Sequence, residues 1–501
     1  MKMSVVRAGS LAAALTLAFA AAPTAAQTNG YVLQCLSART SGQGCVTRAQ
    51  EATPTSLFRD PASLVSFDQP SLEINAAPFI PGLTFENSIN PVVDGNRHVY
   101  PMGSVAYVGP KVGRFAWALG VEPIGGFGSD FELQHALLSG PGSDLVQYES
   151  FFAAAKIGGS VATELAPGLS IGAGLSAVYA QIRDFRMPFT MPPSIAQGLG
   201  GIPQLDPGVY GPLFQQFTEL TAYGDSESYT GLTWTADIGL RYEADSGFIV
   251  SASWSPETAI DVENGTAIID MNAQFGQMMQ AMVMARAQAY QESPEMAQAA
   301  VMGQLAAAGL DLQAGMTANY EAATTITLPM TFGLGIAVPA TPDLRLAAEV
   351  EWRGWENAQS TMPFRLTEGD NANINFMVNA DPTNGDFTYP FPLNWEDTWS
   401  AKLGAEYALN ETNAIRGGLL YGQNPVPDNT VFVAFPAIST SAATVGLTWD
   451  IGGFPLDVGY VHAFNTELVA CDHNHLIGAE YNSSTTTMNQ NTFTIGTVVR
   501  F

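Results

Sequence analysis

The last ten residues, Thr492-Phe493-Thr494-Ile495-Gly496-Thr497-Val498-Val499-Arg500-Phe501, read as one β-strand with two unlike faces. Side chains of an extended chain point alternately to opposite sides. Phe493, Ile495, Thr497, Val499 and Phe501 therefore share one face, and Thr492, Thr494, Gly496, Val498 and Arg500 the other. The pattern recurs upstream. Leu232, Trp234, Ala236, Ile238, Leu240 and Tyr242 alternate with Thr233, Thr235, Asp237, Gly239 and Arg241. Leu346, Ala348, Val350 and Trp352 alternate with Arg345, Ala347, Glu349, Glu351 and Arg353. A water-soluble sandwich alternates too. Here, however, charges stand in mid-strand directly behind aromatic and aliphatic residues, the polar-inward, apolar-outward pattern of a barrel that crosses a membrane.

Composition agrees. The chain is 47% hydrophobic yet only 13% charged, where a soluble domain carries about 25% charged residues. It has 49 Gly and 27 Phe, and beyond the N-terminus no apolar run approaches the ~18 residues of a transmembrane helix. Hydropathy stays modest because only alternate residues of a barrel strand meet lipid. Forty-six Asp and Glu against 19 Lys and Arg exclude a nucleic-acid partner, which requires clustered cations. At the N-terminus, Lys2 and Arg7, the small-apolar run 11–22 and the small residues Thr24-Ala25-Ala26 make a removable secretory signal over 1–26.

Turns supply the strand count. Short turn signals at 109–114, 166–168, 243–247, 340–343, 410–413 and 452–455 alternate strictly with long connections. These lie near 80–98, 127–146, 186–227, 265–323, 356–394, 424–439 and 465–490. Six short and seven long connections join fourteen strands of ~10 residues each. The expected fold is all-β, a fourteen-stranded antiparallel transmembrane β-barrel over 70–501, with short periplasmic turns and long external loops. Residues 27–69 show no alternation. They form either a periplasmic tail or a plug in the lumen, and the plug is preferred because fourteen strands enclose more space than their own side chains fill. Cys35 and Cys45 stand close enough in sequence to form a disulfide in an oxidising compartment, with two buried thiols as the alternative; Cys471 has no evident partner.

Two long connections stand out. The segment 265–323 holds eight methionines, among them Met278, Met279 and Met282. Its Ala- and Gln-rich spacing predicts helix over 273–308, broken near Pro294. Methionine there suits either a pliable apolar surface for ligands or helices packed over the barrel mouth. The segment 186–227 sets Met187, Phe189, Phe214 and Phe217 among Pro and Gly.

Three further stretches stand out: Ser41-Gly42-Gln43-Gly44 with Asp60-Pro61-Ala62, Trp395-Glu396-Asp397-Thr398-Trp399 leading to Leu403-Gly404-Ala405-Glu406-Tyr407, and Arg416-Gly417-Gly418 through Asn424-Pro425-Val426-Pro427-Asp428. In these the chain resembles the FadL/TodX family of outer-membrane proteins that transport long-chain fatty acids and other hydrophobic compounds. The resemblance spans the mature chain. The terminal Phe501 also resembles the signal read by the barrel assembly machinery. Family membership implies a hatch of residues 27–69 containing Asp60, Pro61 and Ala62, where the family more often has Asn at the first position. It implies apolar capture by the loops 186–227 and 265–323, through Met187, Phe189, Phe214, Phe217, Met278, Met279 and Met282. It also implies transfer to a site against the hatch and lateral exit beside a kinked third strand, here interrupted at Pro123, Gly125, Gly126 and Phe127. Proline removes a ladder donor and glycine weakens a strand, so an opening there is physically reasonable; an ordinary bulge is the plainer reading.

The chemistry expected is binding rather than catalysis. His473 and His475 beside Cys471 and Asp472 read as a solvated loop rather than a metal site. The Asn384-Gly385 stretch lacks a calcium-loop ligand series, and no cofactor motif stands out. Lys156, Arg183 and Arg353 are candidate partners for a ligand carboxylate, or else members of lumen ion pairs. The leading expectation is passive uptake of long-chain fatty acid across the outer membrane. Aromatic or aliphatic hydrocarbon uptake comes second, and a general porin or adhesive barrel third. Expected partners are hydrophobic small molecules, outer-membrane lipid and, during biogenesis, the assembly machinery.

Overall fold

The computed structural model describes residues 28–501 except 36, 141–143, 193–194, 196–198, 200–201 and 218. The signal expected over 1–26 lies outside these residues. Fourteen antiparallel strands close into a barrel. In chain order they are β1 (Ser71–Glu86), β2 (Tyr100–Val108), β3 (Phe115–Leu133), β4 (Val146–Ala166), β5 (Leu169–Met191) and β6 (Leu220–Glu243). The next four are interrupted. They are β7 (Ile249–Ser255 and Thr258–Asp270), β8 (Thr317–Leu328 and Met330–Thr341), β9 (Leu344–Gly354 and Thr361–Thr367) and β10 (Phe387–Pro392 and Thr398–Ala408). Then come β11 (Ala414–Gly422), β12 (Ser441–Asp450), β13 (Pro455–Val469) and β14 (Thr485–Arg500). β14 returns to β1, pairing Arg500 with Ser71 and Thr485 with Glu86, which removes both sheet edges.

The two faces separate as the alternation requires. Leu232 and Trp234 are 68% and 63% exposed, and the outward surface continues through Leu175, Leu403 and Phe493; Asp237 and Arg241 point inward and are buried. So wide an apolar surface is compatible with lipid, not water. The strands are longer than expected: β6 runs 24 residues against the ~10 that suffice to span a bilayer. Residues 186–191, 220–227, 265–270 and 317–323, expected within loops, are strand. Their hairpins continue past the expected strand ends, and in β8 the alternation is inverted there, with Thr317, Asn319 and Glu321 exposed and Ala318, Tyr320 and Ala322 buried.

Helices cluster at the long-loop end. α2 spans Pro207–Phe214, and the Met-rich connection forms α3 (Asn272–Tyr290) and α4 (Pro294–Ala307). The expected break falls at Pro294, where Ser293 caps α4 by accepting a hydrogen bond from Met296 N. Among the described residues no helix is long and apolar enough to cross a membrane.

Residues 28–67 fold inside the ring of strands as α1 (Ala38–Gly42), two short 3-10 turns (Pro54–Phe58 and Pro61–Ser66) and a small hairpin. Almost every described side chain from Thr28 to Ser63 is buried, and Cys35 is bonded to Cys45. The glycine motif is explained by close approach. Gly44 has φ +65°, and a Cβ there would collide with Leu403 O of β10. On the opposite wall, Gly172 of β5 leaves room for the backbone of Pro61.

Candidate functional site

Towards the short-turn end, the lumen is held by ions. Arg48 Nη1 lies 2.8 Å from Glu349 Oε1 and 2.7 Å from Glu351 Oε2, and Lys402 Nζ lies 2.7 Å from Glu349 Oε1. Thr47 N and Arg48 N both donate to Glu349 Oε2 at 2.8 Å. Arg241 Nη1 bonds Asp60 Oδ2 at 2.9 Å, Arg39 Nε bonds Asp457 Oδ2 at 3.1 Å, and Thr55 N donates to Glu73 Oε2 at 2.8 Å. All but the Lys402–Glu349 pair, which ties β10 to β9, join the N-terminal segment to an inward-facing strand residue. Buried charges are tolerated only when paired and hydrogen-bonded, and these are.

Towards the long-loop end, the lumen changes character. An apolar cavity of about 40 Å3 is lined by Phe185, Met187, Phe189, Phe364, Tyr389 and Phe391 among others. From it, aromatic contacts run without a break. Phe189 meets Tyr389 at 5.1 Å between ring centroids, Tyr389 meets Phe391 at 5.9 Å, and Phe391 meets Phe432 at 5.0 Å. Phe432 lies 6.2 Å from Phe435, which stacks on Phe127 at 3.7 Å and touches Trp395 at 5.1 Å. Tyr31 closes the floor, edge-on to Phe152 at 5.5 Å and to Trp355 at 5.0 Å. Asn29 pins that floor: its Oδ1 accepts from Trp355 Nε1 at 2.9 Å and from Thr398 Oγ1 at 2.8 Å.

The aromatic column reaches the wall at β3. The register of β3 against β4 slips between Pro123 and Gly125. On its other side, among the described residues, β3 pairs with β2 only from Ala118–Val121 to Val105–Val108. Above that point the two strands part, and the N-terminal hairpin takes the vacant edge. Val32 pairs with Gly125, and Gly126 N donates to Tyr31 O at 3.0 Å. Asn96 N, donating to Asp130 O at 2.8 Å, closes the top of the opening.

The expected site residues distribute unevenly. Met187 and Phe189 line the cavity, but from β5 rather than from a loop. Phe214, Met278 and Met282 are buried in the same apolar cluster, with Phe217 and Met279 packed against it. Met284, Met296 and Met302 are exposed, so the connection divides between packing and surface. Lys156 is held by both oxygens of Asp237 at 2.9 and 2.8 Å, and Arg353 Nη2 is paired with Glu351. Arg183 is not a lumen cation: it is exposed, its guanidinium 3.6 Å from the Phe151 ring centroid. Asp60 acts as an ion-pair acceptor for Arg241 rather than as an amide donor.

Sequence reading missed Tyr31, Phe364, Tyr389, Phe391, Phe432 and Phe435. Only the run Val431-Phe432-Val433-Ala434-Phe435 offers a local signal, an apolar stretch inside an external connection. Among the described residues no group of three or more His, Cys, Asp or Glu is placed to hold a metal ion.

Beyond the strands, loop seven (470–484) docks through buried titratable groups. His135 Nε2 faces Glu480 Oε1 at 3.8 Å. Burial pushes Glu480 up to about 8 and His135 down to about 4. His475 is also lowered to about 4 by burial, and its Nδ1 accepts from Ile477 N at 3.2 Å.

A closed fourteen-stranded barrel with a lipid-compatible outer face, an N-terminal segment inside its ring and an apolar upper lumen is the fold of an outer-membrane transport protein. The chain belongs to the outer membrane protein transport family described as OMPP1/FadL/TodX, whose model matches residues 19–501. No curated protein matches the sequence. Among solved structures it is similar to a Pseudomonas aeruginosa FadL homologue, with TM-score 0.65 and 13% identity over 94% of this chain and 100% of that one. It is also similar to the Pseudomonas putida toluene transporter TodX, with TM-score 0.65 and 13% identity over 95% of this chain and 100% of that one. The Ralstonia pickettii toluene transporter TbuX gives TM-score 0.61 and 15% identity over 93% and 99%. The chain is thus an outer-membrane channel of a family that transports hydrophobic compounds.

Proposed function

We propose that this chain takes up small hydrophobic molecules passively, with compact aromatic or aliphatic hydrocarbons as the preferred class. A ligand enters the apolar cavity beneath the helical loops and moves along the aromatic column. It leaves sideways through the opening between β2 and β3, while residues 28–67 act as a hatch against polar solutes. The observation that carries this reading is the junction at Tyr31 and Phe127, where the unbroken column of rings meets the opening just above the layer of ion pairs. An apolar molecule gains nothing by entering paired charges, so its favourable path turns outward.

Neutral ligands are preferred because the lumen cations Lys156 and Arg353 already hold protein carboxylates. One observation favours fatty acid as the second reading. Among the described residues Arg353 Nε and Nη1 have no hydrogen-bond partner, and Arg353 borders a cavity of about 60 Å3 with Arg48, Arg59 and Lys156, where a carboxylate would fit.

The test uses intact Gram-negative cells without a resident channel of this family, because toluene crosses simple bilayers unaided. Expression of this chain is expected to raise the initial rates of labelled toluene uptake more than those of labelled oleate, with no arabinose-driven swelling of proteoliposomes. Faster oleate than toluene uptake would favour the fatty-acid reading, and rapid sugar flux would sink both.

A further inference from the structure

The connection 423–440 is external by topology, yet residues 431–438 are all buried with no regular secondary structure. Connections normally stay at the surface because their backbone polar groups need partners. Here the ends are pinned: Thr430 Oγ1 donates to Leu393 O at 2.6 Å, and Asp428 O and Asn429 O accept from Cys471 N at 3.1 Å and Leu476 N at 3.0 Å. The tip is held more lightly. Phe435 N donates to Phe432 O at 3.2 Å, Ala437 N to Phe435 O at 3.0 Å, and Ser150 Oγ to Ala434 O. Contacts of His475 and Tyr481 with the backbone of Val431 and Val433, together with ring packing, supply the remaining restraint. Phe432 sits between Phe391 of the cavity and Phe435, and Phe435 lies on Phe127 at the opening.

We infer that Phe435, with Phe432 behind it, is the size-selective barrier of the route, so that the inward-folded loop six determines which hydrophobic molecules pass. The inference rests on the uptake route proposed above. A centroid separation of 3.7 Å leaves no room for a second ring between Phe435 and Phe127, so passage requires Phe435 to swing aside. A flat single-ring molecule replaces the lost stacking with its own face and exchanges like for like. A fused-ring molecule needs more area than one phenyl ring vacates, and the surrounding Trp395, Tyr31 and Phe152 are themselves fully packed.

The experiment compares initial uptake of labelled toluene and phenanthrene in the cells described above, for the natural chain and the variants F435A, F435L and F432A, with heat-modifiable migration verifying assembly. The natural chain is expected to favour toluene strongly. F435A is expected to raise the phenanthrene-to-toluene ratio by at least about 10-fold, equivalent to about 1.4 kcal/mol of barrier, with smaller rises in F435L and F432A. F435L keeps most of the side-chain volume and serves if F435A fails to assemble. An unchanged ratio in an assembled variant, or an equal fall in both rates, overturns the filter. If the natural chain transports neither probe and F435A admits phenanthrene, the filter stands and the toluene reading falls. If no chain transports either, both fall.

Discussion

The lower and upper halves of the lumen are built from opposite chemistry. Below, Arg48, Glu349, Glu351 and Lys402 form a buried array whose members satisfy one another at 2.7–2.8 Å. Above, Phe185, Phe189, Phe364 and Phe391 surround a cavity with almost no polar lining. Ion pairs in a dry interior tolerate little displacement, because separating them leaves an uncompensated charge. Aromatic contacts are non-directional enough for one ring to replace another at small cost. The lower half therefore anchors the N-terminal segment, and the upper half yields to a ligand. Their boundary at Tyr31, level with the opening in β3, is where a hydrophobic molecule has reason to turn aside.

The strongest way to break this comparison is to remove one anchor. Glu349→Gln keeps the shape and deletes the charge that faces both Arg48 and Lys402. Breaking a buried pair costs about 3–5 kcal/mol, so a marked fall in the temperature of heat-modifiable unfolding is expected, along with protease cleavage within residues 28–67. Unchanged melting and protection would mean that the segment is held by packing alone.

A milder change should act on flux instead. Ala267 is buried on β7 and lines the apolar cavity. Ala267→Val adds two methyl groups to a space of about 40 Å3, less than a third of the roughly 150 Å3 cavity known to admit benzene. The cavity must already expand to take a ring, and the added bulk opposes that expansion. Toluene uptake is expected to fall several-fold, at a stability cost of at most about 1–3 kcal/mol. Wild-type uptake in the variant would place the entry elsewhere.

The smallest effect concerns the cap over the aromatic half. Below about 6.5, the ordinary histidine value, undocking lets His475 of the loop and His135, which faces it from beyond the end of β3, bind protons that the docked state refuses until about 4. Two lowered histidines outweigh the single raised carboxyl in that range, so docking strengthens as pH rises from about 4 to 6.5. From there to about 8, docked Glu480 retains a proton that the free loop has released, so docking weakens. Hydrogen-exchange protection of residues 470–484 should therefore peak near pH 6.5. A monotonic profile would exclude Glu480 or the histidines from the latch.

Much of the barrel was legible because its signals are local. Period-2 alternation from Leu232 to Tyr242 and from Thr492 to Phe501 follows from strand geometry alone, and each short turn falls where the structure has one. The helix break at Pro294 is equally local. Strand lengths were not legible, because β5 and β6 continue beyond lipid, where neither face has to be uniformly apolar.

By itself the sequence determined that this is a lipid-facing β-barrel whose strands carry inward-facing charges, with a cysteine pair near its N-terminus; that the upper lumen is apolar was not among its signals. Tertiary structure alone decided which residues make the route. Tyr31, Phe127, Trp395 and Phe435 come from four distant parts of the chain and touch only because fourteen strands close around one lumen. Arg48 likewise meets Glu349 and Glu351 across some three hundred residues. Such contacts carry no periodicity, because closure of the ring, and not the neighbouring sequence, sets their distances.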